Sequence, residues 1–205
     1  MKPSVLALWI FSKAAPLQAI TESEKEWAKE LPKSRAEEFQ HSRGYARLAL
    51  SQLWRIPPLE IPLTALPRKA PLLKDGWGHI SFSHCSDALL VGWSPKKIGV
   101  DIERTDRHFK AKQLVKRYFS KEEQESMMKL DANKLKAETL RKWVIKEAAI
   151  KWQGGQISSD LPEWINQKDT KLVQHKTLGY TVGIDQINFQ FWHIAIAYDQ
   201  YLHKN

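Results

Sequence analysis

The stretch IGVDIERT, residues 98–105, decides how the rest of the chain is read. Ile98, Val100 and Ile102 alternate with Gly99, Asp101 and Glu103, the period-two pattern of a strand with one buried face. The other face then carries two carboxylates that point the same way. Like charges this close in a sheet oppose each other, and a cation between them removes the cost. The pair therefore asks for a third ligand elsewhere in the chain, and for a substrate that needs the metal.

The most regular helical pattern, over residues 137–152, offers that ligand. Trp143, Val144, Ala148, Ile150 and Trp152 are interspersed with good helix formers, and Gly154-Gly155 stops the pattern. The segment carries Lys146, Glu147 and Lys151, and Glu147 and Lys151, four residues apart, share a helix face. An isolated Glu-x-x-x-Lys is ordinarily a surface ion pair of small consequence. Among flanking tryptophans, in a chain that already has an Asp-x-Glu strand, Glu147 becomes the third candidate. Carboxylate oxygens suit a hard cation such as Mg²⁺, which keeps several waters and bridges to substrate phosphates. Asp101, Glu103 and Glu147 are thus the expected metal ligands, and no Cys/His cluster has zinc spacing.

Working outward, residues 4–11 read as a strand. Thr21 and Glu24 have capping-box spacing for a helix ending near residue 29. Residues 34–53 have near-helical apolar spacing (Phe39, Tyr45, Leu48, Ala49, Leu53) and the basic Arg35, Arg43 and Arg47. Residues 56–78 are proline-rich and irregular. Residues 79–94 form two strands around a turn at 85–87. A helix is expected over 114–119, a second capping box at Ser120 and Glu123, and strands over 171–173, 180–184 and 189–197. The fold class is α+β. Each half has a long helix followed by a pair of apolar strands, which predicts two similar halves, residues 1–97 and 98–205.

The bulk properties narrow the function. At 205 residues the chain forms one domain or two small halves sharing a core. Thirty-two Lys and Arg against 23 Asp and Glu give +9, which favours an anionic partner over a neutral one. The nine tryptophans are scattered, so they read as core and not as a stacking platform for bases. No helix-turn-helix, RNP or finger pattern is present, so no nucleic-acid partner is expected. Cys85 is the single cysteine and cannot form an internal disulfide, consistent with a reducing, cytoplasmic setting. The apolar run at 5–11 is too short for a signal peptide, and no stretch approaches the roughly 18 apolar residues of a membrane span.

These residues carry a resemblance. VDIE on a strand, followed some forty residues on by WVIKEAAIK on a helix, resembles the signature pair of the 4′-phosphopantetheinyl transferases. The match runs without gaps through Gly99, Val100, Asp101, Ile102 and Glu103, and then Trp143, Lys146, Glu147, Ala148 and Lys151. ISFSHCSD resembles a family block through Ser83 and His84, RKAPLL another through Lys69, and RYFSKEEQE the stretch between the main motifs. The ordered set covers roughly residues 31–155. Length and the two-half echo resemble the surfactin-type branch, in which one chain folds as an intramolecular pseudo-dimer with its active site where the halves meet.

The resemblance implies a reaction: the phosphopantetheine arm of coenzyme A moves to a serine hydroxyl of an apo acyl or peptidyl carrier protein, releasing adenosine 3′,5′-bisphosphate. It implies Mg²⁺, with Mn²⁺ as an alternative, on Asp101, Glu103 and Glu147. Lys151 would neutralise phosphate charge, and Glu147 would be the base for the serine. Arg35, Arg43, Lys69, Ser83, His84, Lys146 and Lys151 are the expected coenzyme A contacts. Lys146 has the alternative of covering Trp143 with its stem, and Arg35 and Arg43 that of ordinary helix charges. The carrier, acidic around its serine, is the expected partner of a monomeric basic enzyme. Its expected docking surface is residues 107–119, with Phe109, Leu114, Val115 and Phe119 among basic residues. Cys85 stands where the family has Ser or Thr, Ala70 alters the context of Lys69, and WQGGQIS follows Lys151 where Gly-Lys-Gly is common. The competing readings are a Mg²⁺-dependent phosphohydrolase and a non-catalytic basic nucleic-acid-binding protein.

Overall fold

The computed structural model describes residues 5–166 and 170–199. It is a mixed α+β structure of helices and antiparallel sheets, and the chain divides into two compact units, Met1–Ile98 and Gly99–Asn205.

In the first unit, β1 (Ala7–Ser12) leads to α1 (Glu22–Lys29) and α2 (Lys33–Trp54), then to the short pair β2 (Leu63–Thr64) and β3 (Leu72–Leu73), and finally to β4 (His79–His84) and β5 (Ala88–Ser94). The main sheet has the order β1-β5-β4, antiparallel throughout, with Ser83 opposite Leu90 and His84 opposite Leu89. Ser4, expected in the first strand, lies outside the described residues. The capping box of α1 forms as its spacing predicts: Thr21 Oγ1 accepts from Glu24 N, and Glu24 accepts from Thr21 N. Glu24 does more than cap. It is buried against Arg47 of α2, whose Nε and Nη2 donate to it at 2.9 and 3.0 Å, and Arg47 also donates to the carbonyls of Ile61 and Leu63. A buried charge pair is tolerable when every remaining donor is used, and this one ties the proline-rich connection to α2. The apolar stripe of α2, including Tyr45, Ala49 and Leu50, packs on Ile80, Leu89, Val91 and Trp93 of the sheet.

β6 (Ile98–Arg104), whose residues from Gly99 on belong to the second unit, is followed there by α3 (Ala111–Tyr118), α4 (Lys121–Met127), α5 (Ala132–Gln153), α6 (Ile157–Asp160), β7 (Trp164–Asn166), β8 (Leu172–His175), β9 (Thr181–Phe189) and β10 (Trp192–Asp199). The sheet order is β6-β10-β9-β8-β7. α5 lies over it, burying Val144, Ile145, Ala148 and Ala149 against Val173, Val182, Ile184, Ala195 and Ala197. Gly154 ends α5 in the left-handed conformation (φ 80°), where a glycine carries no side-chain penalty.

Four details depart from the sequence reading. α5 starts at Ala132 and not 137, because the Asp131 side chain accepts from Lys134 N and caps a turn that has little apolar periodicity. The expected strand over 189–197 contains a turn at Gln190 (φ 53°) and belongs to two strands. β7 and α6 were not anticipated. In α3, Val115 is wholly buried, and Phe119 just beyond it is also core, so of the four apolar residues expected to meet a carrier these two are used by the fold, while Phe109 and Leu114 are half-buried. Among the described residues no helix is long and apolar enough to cross a membrane.

Candidate functional site

β6 and α5 bring four charged side chains of the second unit together. Ile98, Val100 and Ile102 are buried as the alternation predicts, but Asp101 is buried too. The reason is Gly99. A Cβ there would stand 2.0 Å from the Ala148 carbonyl oxygen and 2.3 Å from Trp152 N, so only glycine lets α5 lie this close to the strand. The close approach carries Lys151 to Asp101: Nζ donates to Oδ1 at 2.6 Å and stands 3.8 Å from Glu147 Oε2. Glu103 lies one pleat along from Asp101 and pairs with Arg107.

The electrostatics are unbalanced. Burial first, and then the negative charge of Asp101 and Glu103 against the pull of Lys151, raises the Glu147 carboxyl to about 7. Burial raises Glu103 as well, with Asp101 adding to it and Arg107 opposing. Three carboxylates thus sense one another, with Lys151 and Arg107 supplying the positive charge. As the side chains stand, no three His, Cys, Asp or Glu among the described residues are arranged to hold a metal ion. The donor set nevertheless has the right chemistry for a hard cation. Its oxygens are close enough to resist joint ionisation, and Lys151 occupies the position on Asp101 that a cation would contest.

Lys146, one residue before Glu147, is placed quite differently. It is 0 % exposed, donates to Glu123 Oε2 at 2.5 Å and to the Leu161 carbonyl at 3.1 Å, and lies 4.7 Å from the Phe119 ring centre. Burial, opposed by Glu123, pushes its ammonium down to about 8. Lys142 donates to the other oxygen of Glu123 at 3.1 Å, and the same Glu123 closes the capping box of α4 with Ser120. In this position Lys146 is enclosed by the fold, its ammonium held between Glu123 and the Leu161 carbonyl.

In the first unit, His84 at the end of β4 meets Glu38 of α2 (Nε2 to Oε1, 2.6 Å). Glu38 also receives Lys13 at 3.3 Å and Arg35 at 2.8 Å. Burial works to raise Glu38, but the charge of His84 and the hydrogen bonds from Arg35 and Lys13 outweigh it and lower its pKa. Lys13, Arg35, Glu38 and His41 line one cleft of about 790 Å³. Ser83 is buried one residue before His84. Arg43 is not at this cleft's surface. Its Nε donates to the Ala65 carbonyl at 2.9 Å and its Nη2 to that of Leu66 at 3.1 Å, its guanidinium lies 3.9 Å from the centre of the Phe39 ring, and burial pushes it down to about 10. It anchors the turn whose next residues are Arg68, in the left-handed conformation, and the exposed Lys69. Glu38 and Lys13 were missed by sequence reasoning. Glu38 is visible there only as an acid three residues from Arg35 and from His41, and nothing local announces Lys13 or His84 as its neighbours.

A family model for the 4′-phosphopantetheinyl transferase superfamily matches residues 97–204, just over half of the chain, and so covers β6 and α5 entire. Among curated proteins, none matches the chain.

Proposed function

The chain belongs to the 4′-phosphopantetheinyl transferase superfamily, and on that premise we propose that it is a holo-carrier-protein synthase. It transfers the phosphopantetheine arm of coenzyme A to a serine of an apo acyl or peptidyl carrier protein and releases adenosine 3′,5′-bisphosphate. The observation that carries this reading is the convergence of Asp101, Glu103, Glu147 and Lys151 across Gly99. We assign the chain to the surfactin-type, single-chain branch. Support comes from its two units, each with a 22-residue helix against an antiparallel sheet.

Asp101, Glu103 and Glu147 would hold Mg²⁺, which when bound neutralises charge on the pyrophosphate. Lys151 supplies a second positive charge to the phosphate that becomes the leaving group, as phosphoryl transfer demands. The serine oxygen attacks the phosphorus that carries the pantetheine arm. The bond from that phosphorus to the bridging oxygen breaks, the bisphosphate departs with the electron pair, and a Glu147 oxygen takes the hydroxyl proton. Arg35, Lys69, Ser83 and His84 would contact coenzyme A. Its anionic groups would compete with Glu38 for Arg35 and His84, while Arg43 acts through the turn that presents Lys69.

Intact-mass measurement tests this. The protein, coenzyme A, Mg²⁺ and an apo acyl carrier protein should yield a carrier heavier by one phosphopantetheine arm, and Asp101→Ala should yield none. Release of nucleotide with an unmodified carrier would favour the phosphohydrolase reading instead.

A further inference from the structure

A buried tryptophan usually finds an acceptor for its indole N–H, and this fold generally provides one. Trp93 Nε1 donates to the Trp77 carbonyl at 2.8 Å, Trp152 Nε1 to Asp199 Oδ1 at 3.0 Å, and Trp164 Nε1 to Gln153 Oε1 at 2.8 Å. Among the described residues, the indole nitrogens of Trp54 and Trp143 are buried without a hydrogen bond. Trp54 stands among other indoles, its ring 4.6 Å from that of Trp77 and 6.0 Å from that of Trp93. Trp143 stands one turn before Glu147 on α5. An unpaired buried donor carries its full desolvation penalty, and a phenylalanine would fill most of the same space without it.

Trp143, Glu147 and Lys151 are spaced four apart and form one ridge of α5. Helix side chains lean toward the N-terminus, so Glu147 leans toward the indole, while Lys151 Nζ stays 3.8 Å from Glu147 Oε2. The indole is near enough to work against the rise in the Glu147 pKa that burial and Asp101 impose, yet its N–H is not in hydrogen-bonding position. The ring itself is held. Tyr118 of α3 meets it edge-on, with ring centres 5.5 Å apart and planes at 80°, and it packs against the core of the second unit. The Glu147 carboxyl, at the end of a flexible side chain, is the partner that can move.

We propose that Trp143 is a positioning residue: its indole N–H closes a hydrogen bond to one Glu147 oxygen when the carboxylate cluster takes up its cation, and so fixes the orientation of that carboxylate. The inference takes its metal from the transferase reading and extends that reading to a residue outside the ligand set. A carboxylate that holds a metal is itself held by a donor on its outer side. An indole N–H suits that task here because it is uncharged. It orients Glu147 without neutralising the negative charge that draws the cation, which a further lysine on the same ridge would do.

The test is Trp143→Phe, which keeps an aromatic ring and removes the donor, with the wild type beside it. The melting temperature of the metal-free protein should be unchanged or higher. Mn²⁺ affinity without substrate, read by electron paramagnetic resonance of the free ion, should weaken roughly tenfold. At saturating Mg²⁺, kcat should fall several-fold with the KM for coenzyme A unchanged. In the wild type, the nuclear magnetic resonance signal of the Trp143 indole N–H should move downfield when Mg²⁺ is added. A signal that Mg²⁺ leaves in place overturns the inference whether or not the variant folds, and so does an unchanged Mn²⁺ affinity in a folded variant. A lower melting temperature with the affinity kept assigns Trp143 to packing alone. A wild type that binds Mn²⁺ and shows the shift but modifies no carrier overturns the transferase reading and leaves the donor role standing. A wild type that binds no Mn²⁺ overturns the donor role and the metal assignment together.

Discussion

Lys146 and Glu147 are neighbours on one helix, both buried and both charged, and they are treated in opposite ways. Lys146 meets an opposite charge at 2.5 Å and a carbonyl at 3.1 Å, inside a network whose acid also caps α4. Glu147 meets two like charges, and Lys151 at 3.8 Å answers them only in part. The first is what a fold does with a charge it must bury: it pairs it and uses the remaining donors. The second is a cluster held against its own preference, which is what a site for an external cation and a polyanionic substrate requires. The Lys-Glu dipeptide is thus divided between stability and chemistry by the 100° turn of the helix between consecutive residues.

The largest way to disturb this contrast is Gly99→Ala. The added methyl must push β6 from α5 at backbone atoms that cannot rotate away. We expect a loss of roughly 4 kcal/mol or more by denaturant unfolding, and at least a hundredfold loss of kcat in whatever folds, because the separation parts Asp101 from Lys151. Lys146→Met should come next. It leaves Glu123 buried with Lys142 alone and should cost about 3–5 kcal/mol; at a temperature where it remains folded, its KM for coenzyme A should match the wild type. If the KM rises sharply while stability is kept, Lys146 touches ligand and the contrast fails. Arg43→Met removes the anchor of the turn before Lys69. It should cost about 2–3 kcal/mol and raise the KM for coenzyme A several-fold with little change in kcat, the split expected of a residue that positions another.

What the sequence disclosed, and what it hid, follows the range of the forces involved. Period-two alternation and the two capping boxes are local, and β6, α1 and α4 were legible from them. The start of α5 rests on a single side chain, Asp131, and the hairpin turn at Gln190 has no glycine, proline or asparagine to mark it, so both were misjudged. The four charges around Gly99 could be grouped in advance because a strand face and a helix face each present them in order. Arg43 and Lys146 could not be told from solvent-facing charges, since their partners, Ala65 and Glu123, lie 22 and 23 residues away. Glu38 was invisible for the same reason: Lys13, just past β1, and His84, at the end of β4, are distant from it in the chain.

The most direct test is Glu147→Gln, with unfolding measured on metal-free protein and transfer on the same preparations after Mg²⁺ is added. The folded value of Glu147, about 7, lies above the ordinary 4.5. Its contribution to stability is therefore fully present below pH 4.5 and is lost as pH rises through 7. At pH 8 the neutral glutamine should stabilise the protein by on the order of 2 kcal/mol, and at pH 4 it should change nothing, because glutamate is then protonated in both states. Transfer to the carrier should be lost. A variant that is less stable than the wild type at pH 8, or one that still modifies the carrier at the wild-type rate, would contradict the claim that Glu147 is held ready for chemistry at the expense of the fold.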